Sequence, residues 1–354
     1  MKTFRKTLSV VSIALISGLL ISCSDPDTTA PATDQPTSGL VIKGAGATFP
    51  APLYRAWIER YAQEKPAATF TYESVGSGAG VKRFIAEDVD FGASDAAMSD
   101  AEIAKVPRGV QLVPTAAGMV VLAYNLPSID TTLKLPREVY VDIFRGEIKR
   151  WNDPRLVAAN PGVTLPNLPI QTVVRRDGSG TTYAFTNHLS AISPRWRDAG
   201  PGAGKLLDWP GNAMTGNGNA GVAQKVKISR GAIGYMEYGF AKRLGLPMAA
   251  LENASGQFIA PSAASGRDAI GAAKLPENLR LFMPDPEGPD SYPIVSLTWI
   301  MVYGSYADAQ IKEELAHALQ WGLTDGQTIA EEMGYIPLPA NMVEKALAAV
   351  AGLK

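Results

Sequence analysis

Cysteine and histidine are nearly missing from this chain: its 354 residues include one Cys (Cys23) and two His (His188, His317). A disulfide framework, a thioredoxin-like centre and a Cys/His zinc site are thereby excluded, and neither a metal nor a cofactor is expected. An excess of positive charge is missing too. The chain carries 33 Lys+Arg against 34 Asp+Glu, a formal net charge of −1. Removing residues 1–22, which hold Lys2, Arg5 and Lys6 but no acid, leaves the remainder more acidic still. A phosphate-backbone nucleic-acid binder needs the opposite balance. Disorder is excluded for the bulk of the chain, because 46% hydrophobic and 19% charged residues is ordinary globular composition. The length is enough for a large core, which usually divides between two domains.

The first 22 residues read as a removable targeting segment. Lys2, Arg5 and Lys6 form a positive start, and residues 8–21 form an apolar run. A membrane span needs about 20 apolar residues, so this run is too short to be a stable one. It ends Leu20-Ile21-Ser22-Cys23, placing the only cysteine where the lipobox of bacterial lipoproteins requires one. That resemblance implies cleavage before Cys23 and lipidation of Cys23, anchoring the chain to a membrane. Residues 24–38 contain no aromatic, large aliphatic or basic side chain. They cannot bury enough apolar surface to offset ordering, so 23–38 is expected to be a disordered tether and the folded body to begin near Gly39.

The body alternates strand and helix signals, the mark of an α/β fold. Residues 40–43 predict a strand, followed by a small-residue turn at 44–47. A helix is expected from near Pro50 with Thr48 as its cap, its apolar face formed by Leu53, Trp57, Ile58 and Tyr61. Further strands are expected at 68–75, 89–94, 110–126, 170–174, 231–235 and 293–302. Helices are expected around Val81–Ile85 spacing, at 137–144, 179–189, up to Arg243, and at 311–323 and 342–353. The long apolar strands near 119–125 and 293–302 flank a block large enough to be a domain. The chain is expected to cross into that block near Ala123 and to return near Leu297.

Loops with chemical potential share small residues and hydroxyls at helix starts: Thr48-Phe49, Ser77, and Asp177-Gly-Ser-Gly-Thr181, with Arg175 just ahead. A helix N-terminus offers unpaired N–H groups and partial positive charge, and a guanidinium presents a planar fork to an oxyanion. Each loop by itself reads first as a plain cap or turn. Nucleotide motifs fail, since Gly76-Ser-Gly-Ala-Gly80 lacks the G-x-G-x-x-G spacing and Gly202-Ala-Gly-Lys205 is followed by Leu206. Ser179 lies between two glycines without a nucleophile elbow. His188, nine residues on, is expected to be a cap or surface side chain facing away from the helix start. Trp57, Trp151 and Trp299 are expected in the core.

Four motifs occur in order: Gly44-Ala-Gly-Ala-Thr-Phe-Pro-Ala-Pro52, Gly76-Ser-Gly-Ala-Gly80, Asp90-Phe-Gly-Ala-Ser-Asp95 and Arg175-Arg-Asp-Gly-Ser-Gly-Thr-Thr182. With Ile143-Phe-Arg-Gly-Glu-Ile-Lys-Arg-Trp-Asn-Asp153, Gly231-Ala-Ile-Gly-Tyr-Met-Glu-Tyr238 and Tyr292-Pro-Ile294, the set resembles the phosphate-binding proteins that serve bacterial ATP-driven phosphate importers. The resemblance runs from about Gly44 to near Pro339. It implies a two-lobed, type II-like periplasmic-binding-protein fold, with lobe I formed by 39–122 and 298–354, lobe II by 123–297, and a strand hinge between them. It also implies that Thr48, Phe49, Ser77, Asp95, Arg175, Ser179, Gly180 and Thr181 contact phosphate, with Asp177 as the carboxylate partner of Arg175. Arg176 occupies the variable position of that motif. By the same resemblance the chain is a monomeric binding protein, not an enzyme, which passes inorganic phosphate to membrane permease subunits outside the cytoplasm. The alternatives are an oxyanion scavenger or sensor lipoprotein without a permease, and a phosphatase or serine hydrolase using Ser179.

Overall fold

The computed structural model describes residues 39–271 and 273–353. The targeting segment, Cys23 and the tether lie outside the described residues. Among the described residues, eight of eleven strands form one sheet: β1 (Leu40–Gly46), β2 (Ala68–Ser74), β3 (Phe91–Ser94), β4 (Val110–Tyr124), β6 (Gln171–Arg175), β7 (Met214–Gly216), β8 (Ala232–Glu237) and β11 (Val295–Tyr303). Their order is β2-β1-β3-β11-β4-β8-β6-β7. A small sheet holds β5 (Lys134–Leu135), β9 (Ala250–Glu252) and β10 (Phe258–Ile259).

The large sheet has two parallel ends and an antiparallel middle. Strands β2, β1 and β3 run parallel, as do β7, β6 and β8. Between them, β4 pairs antiparallel with β11 over its first ten residues and with β8 over its last five. One strand thus belongs to both halves of the sheet. Both β4 and β11 are apolar along nearly their whole length and almost wholly buried, which suits strands covered on both faces. Their register shifts at Thr298/Trp299, where Thr298 faces Ala116 and Trp299 faces Pro114, leaving Thr115 as an extra residue on β4. Bulges of this kind bend a strand and re-aim its side chains.

Helices follow β1, β2, β6 and β8 as the spacing predicts, while the helices after β3 (Asp100–Ile103) and β7 (Gly218–Ile228) are not expected from it. The helix Ala51–Glu64 buries Leu53, Tyr54, Trp57 and Tyr61, and it ends at Lys65 before Pro66. Two local expectations differ. β1 runs through Gly46, so the glycines at 44 and 46 are strand residues and not a turn. The cap position of the helix is Pro50, and no side chain caps it. Trp57, Trp151 and Trp299 are buried.

His188 is not at the surface. It is fully buried, with Nδ1 2.6 Å from the Pro284 carbonyl and Nε2 2.7 Å from the Tyr140 hydroxyl. A carbonyl can only accept, so Nδ1 carries the proton and Nε2 accepts from Tyr140. Burial lowers the ring's pKa to about 4, which keeps it neutral. The helix Gly180–Ile192 turns this side chain into its packed face, and a lone polar residue in the sequence did not reveal that.

Candidate functional site

All six parallel strands deliver their carboxyl ends to one place, as open α/β sheets do with their ligand sites. Thr48 follows β1, Ser77 opens the helix after β2, and Asp95 follows β3 directly. From the other half, Arg175 ends β6, Asn219 lies one residue into the helix Gly218–Ile228 after β7, and Glu237 ends β8. Thr48, Phe49, Ser77, Asp95, Arg175, Ser179 and Thr181 are all buried.

The two sets of loops touch. The Gly78 N–H donates to the Gly178 carbonyl at 2.8 Å. A Cβ placed on Gly180 would lie 2.6 Å from Asp95 Cβ and 2.7 Å from Ser77 Oγ, so only glycine permits this approach. Ser77, Asp95 and Gly180 therefore share one small volume.

Arg175 is the buried cation of the group. Its Nε donates to Asp177 Oδ1 at 2.9 Å, its Nη2 pairs with Asp177 Oδ2, and its Nη1 donates to Thr181 Oγ1 at 3.3 Å. The main-chain N–H of Arg175 donates to the Tyr235 hydroxyl, which holds the end of β6 in place. Arg176 points outward to Asn217 and is exposed, so the doublet presents one guanidinium to the interior. Burial by itself would raise the pKa of Asp177, but Arg175 and the Gly218 N–H (2.9 Å) bring it below the ordinary carboxylate value.

Asp95 is the one acidic side chain among the expected ligand contacts. Its Oδ1 accepts from Thr298 at 2.9 Å, and Ser77 Oγ lies 3.5 Å from Oδ2. Its N–H donates to Ser77 Oγ at 3.2 Å. Burial pushes its pKa up to about 7 against the hydrogen bond from Thr298 and the charge of Arg175. Asp95 therefore changes charge near neutrality. Glu237, also fully buried, is pushed by burial up to about 8.

Ser179 acts first as a helix cap: its Oγ accepts the Thr182 N–H at 3.0 Å, and its own N–H is taken by the Lys205 carbonyl at 2.8 Å. The Ser179 N–H is thus not free for an anion. Gly180 and Thr181 are the first residues of the helix behind it, whose opening N–H groups have no intrahelical acceptor. Thr48 does not cap the helix after it; its Oγ1 accepts from Asn219 instead.

Sequence reasoning missed Asn219 and Thr298. Asn219 lies in a helix that begins Gly-Asn-Ala-Gly, where the glycines read as a turn, and Gly218 has φ +62°. Thr298 is placed by the bulge, which no local pattern announces. Beside the site opens a cavity of about 500 Å³ lined by Thr48, Arg55, Asp177, Asn217, Gly218 and Phe240. Among the described residues no cluster of His, Cys, Asp and Glu could hold a metal ion, and no helix is long and apolar enough to cross a membrane.

Residues 26–320 match the family model described as a PBP superfamily domain. The chain is 38% identical over 312 residues to "Phosphate-binding protein PstS" of Pasteurella multocida, covering 87% of this chain and 89% of that one. It is 39% identical over 305 residues to the protein of the same name in Haemophilus influenzae, covering 85% and 90%. Among solved structures it resembles the phosphate-binding protein of Stenotrophomonas maltophilia, with TM-score 0.71, 18% identity, and 88% and 94% of the two chains covered. A high-affinity periplasmic phosphate-binding protein solved with phosphate gives TM-score 0.74 at 22% identity, covering 87% and 93%. The two structural likenesses bear on the fold, which is the mixed α/β periplasmic-binding-protein fold, and the sequence matches bear on kinship: the chain belongs to the PstS family of phosphate-binding proteins.

Proposed function

We propose that this chain binds one inorganic phosphate in the cell envelope and delivers it to the membrane permease of an ATP-driven importer. The observation that carries the reading is a buried arginine, paired with Asp177 and bonded to the Thr181 hydroxyl, among helix starts that also bring up the buried carboxyl of Asp95. Burying an oxyanion is costly unless hydrogen bonds replace its water, and this group of donors can do so. Thr48, Phe49, Ser77, Asp95, Arg175, Ser179, Gly180 and Thr181 are the proposed contacts, with Asp177 orienting Arg175. Ser179 contributes its hydroxyl, whose oxygen also accepts the Thr182 N–H.

The lobes we propose are 39–122 with 298–354, and 123–297, with β4 and β11 crossing between them. A ligand touching both stabilises the closed arrangement by its differential contacts. The proposed cellular setting is outside the cytoplasmic membrane, with lipidated Cys23 and the segment 23–38 as anchor and tether. The protein is a binding protein and not an enzyme. Ser179 Oγ caps a helix and His188 is engaged by Tyr140 and Pro284, so neither is arranged as nucleophile or base.

Titration calorimetry of the body from Gly39 tests the function. One phosphate per chain is the expected result, with arsenate competing and sulfate binding far more weakly; heat for sulfate equal to that for phosphate would discard the reading. Closure is tested by Gly180→Ala. The added methyl cannot fit between Asp95 and Ser77, and overpacking of this kind costs about 1–3 kcal/mol. Phosphate affinity is expected to fall by about tenfold to a hundredfold with little change in the thermal midpoint. Wild-type affinity in this variant would remove Gly180 from the closing contact.

A further inference from the structure

We infer that Asn219 is a positioning residue that fixes the direction of two threonine hydroxyls so that both donate to the bound anion. The inference rests on the phosphate-binding reading above and extends it to a residue that touches no ligand. Asn219 is fully buried, and each of its polar groups is engaged. Its Oδ1 accepts the Glu237 N–H at 2.9 Å, which settles which end of the side-chain amide is oxygen. The NH2 group then faces Thr48 Oγ1 at 2.9 Å and Thr181 Oγ1 at 3.2 Å, while the Asn219 main-chain N–H reaches Thr48 Oγ1 at 3.2 Å.

A hydroxyl has one proton to give and two lone pairs to receive with. Thr48 Oγ1 receives from two donors, both on Asn219. Thr181 Oγ1 also receives from two, Asn219 Nδ2 and Arg175 Nη1 at 3.3 Å. With both lone pairs occupied, each oxygen can take part in one further bond only by donating its proton. Freely rotating hydroxyls would accept from a protonated ligand as readily as they donate to an ionised one. These two cannot, so the cleft is biased toward unprotonated oxygens at their positions. For Thr181 the direction is fixed within one proposed lobe before any ligand arrives, which spares the ordering cost at binding; for Thr48 it is set as the lobes close. Asn219 also joins the strand-end residues of the two sheet halves, since Thr48 follows β1 whereas Thr181 and Asn219 follow β6 and β7.

The test is a mutant cycle read by phosphate calorimetry, with thermal midpoints measured alongside. Asn219→Ala is expected to weaken phosphate by about tenfold to fiftyfold, the loss of one or two oriented donors. Asn219→Asp keeps the shape but offers acceptors, so the threonine protons turn toward it, and the loss is expected to exceed that of the alanine variant. In a Thr48→Val/Thr181→Val background, Asn219→Ala is expected to cost less than threefold more, because the hydroxyls it directs are gone. A full Asn219→Ala penalty in that background would show an action through packing and overturn the inference. So would wild-type affinity in both single variants. Absence of phosphate binding by the wild-type protein would overturn the functional reading itself, whereas wild-type binding with silent Asn219 variants would overturn only this inference. If Asn219→Ala does not fold, the near-isosteric Asn219→Asp carries the test: affinity within threefold of wild type rejects the inference.

Discussion

Exchange of Arg175 for methionine is expected to weaken phosphate binding about a thousandfold, since breaking a buried ion pair costs about 3–5 kcal/mol and each 1.4 kcal/mol is tenfold. Two effects add. The anion loses its only buried cation among the proposed contacts, together with charge-assisted hydrogen bonds. The Asp177 carboxylate, now held chiefly by the Gly218 N–H, is left uncompensated beside the incoming negative charge. The second effect can be separated. In Arg175→Met/Asp177→Asn the orphaned charge is gone, so part of the affinity, about tenfold or more, is expected to return. Calorimetry of the three variants decides it. A loss below tenfold in Arg175→Met would place the guanidinium outside the ligand's reach.

Asp95 is expected to govern the choice between phosphate and sulfate. Phosphate keeps a proton near neutrality and can donate it to a carboxylate, whereas sulfate has none and would set lone pairs against lone pairs. An unpaired buried contact of charged groups costs about 3 kcal/mol or more, but sulfate avoids it by taking the protonated carboxyl, which costs about 1.4 kcal/mol per pH unit above the Asp95 pKa. Asp95→Asn should therefore narrow the phosphate-over-sulfate ratio by about a hundredfold about two pH units above that value and by little at it. The pH dependence follows from the raised pKa. Asp95 holds a proton below about 7 and is ionised above it. Sulfate, which needs that proton, should bind best below this value and weaken by about tenfold per pH unit above it. In Asp95→Asn that slope should vanish. A sulfate affinity independent of pH in the wild type, with an unchanged ratio in the variant, would assign selectivity elsewhere.

Much of this architecture was legible in the sequence because the strands and helices carry strong local signals. The pattern places the helix at 137–144, where the structure has Arg137–Phe144, and the apolar runs mark β4 and β11 within two residues. The loops at strand ends were legible through Gly and hydroxyl residues, which are needed wherever backbone must approach an anion closely. What escaped depends on distance in the sequence. Asn219 gains meaning only when Thr48, 171 positions away, meets it. Thr298 gains meaning only through a bulge opposite Thr115. The helix Gly218–Ile228 was hidden because its two leading glycines lower helical propensity, and packing against β8 and β6 overrides that preference. His188 reads from the sequence as a cap or surface side chain because nothing local announces that Tyr140 and Pro284 will close over it.

The position of β11 has a consequence for how the chain is made. It lies between β3 and β4 in the sheet, yet it is synthesised long after both. Until Val295–Tyr303 emerges, β3 and the first ten residues of β4 have open backbone edges that would pair with any passing strand. Export of the chain in an unfolded state, or shelter by a holdase until its last sixty residues are released, would spare the nascent molecule that exposure.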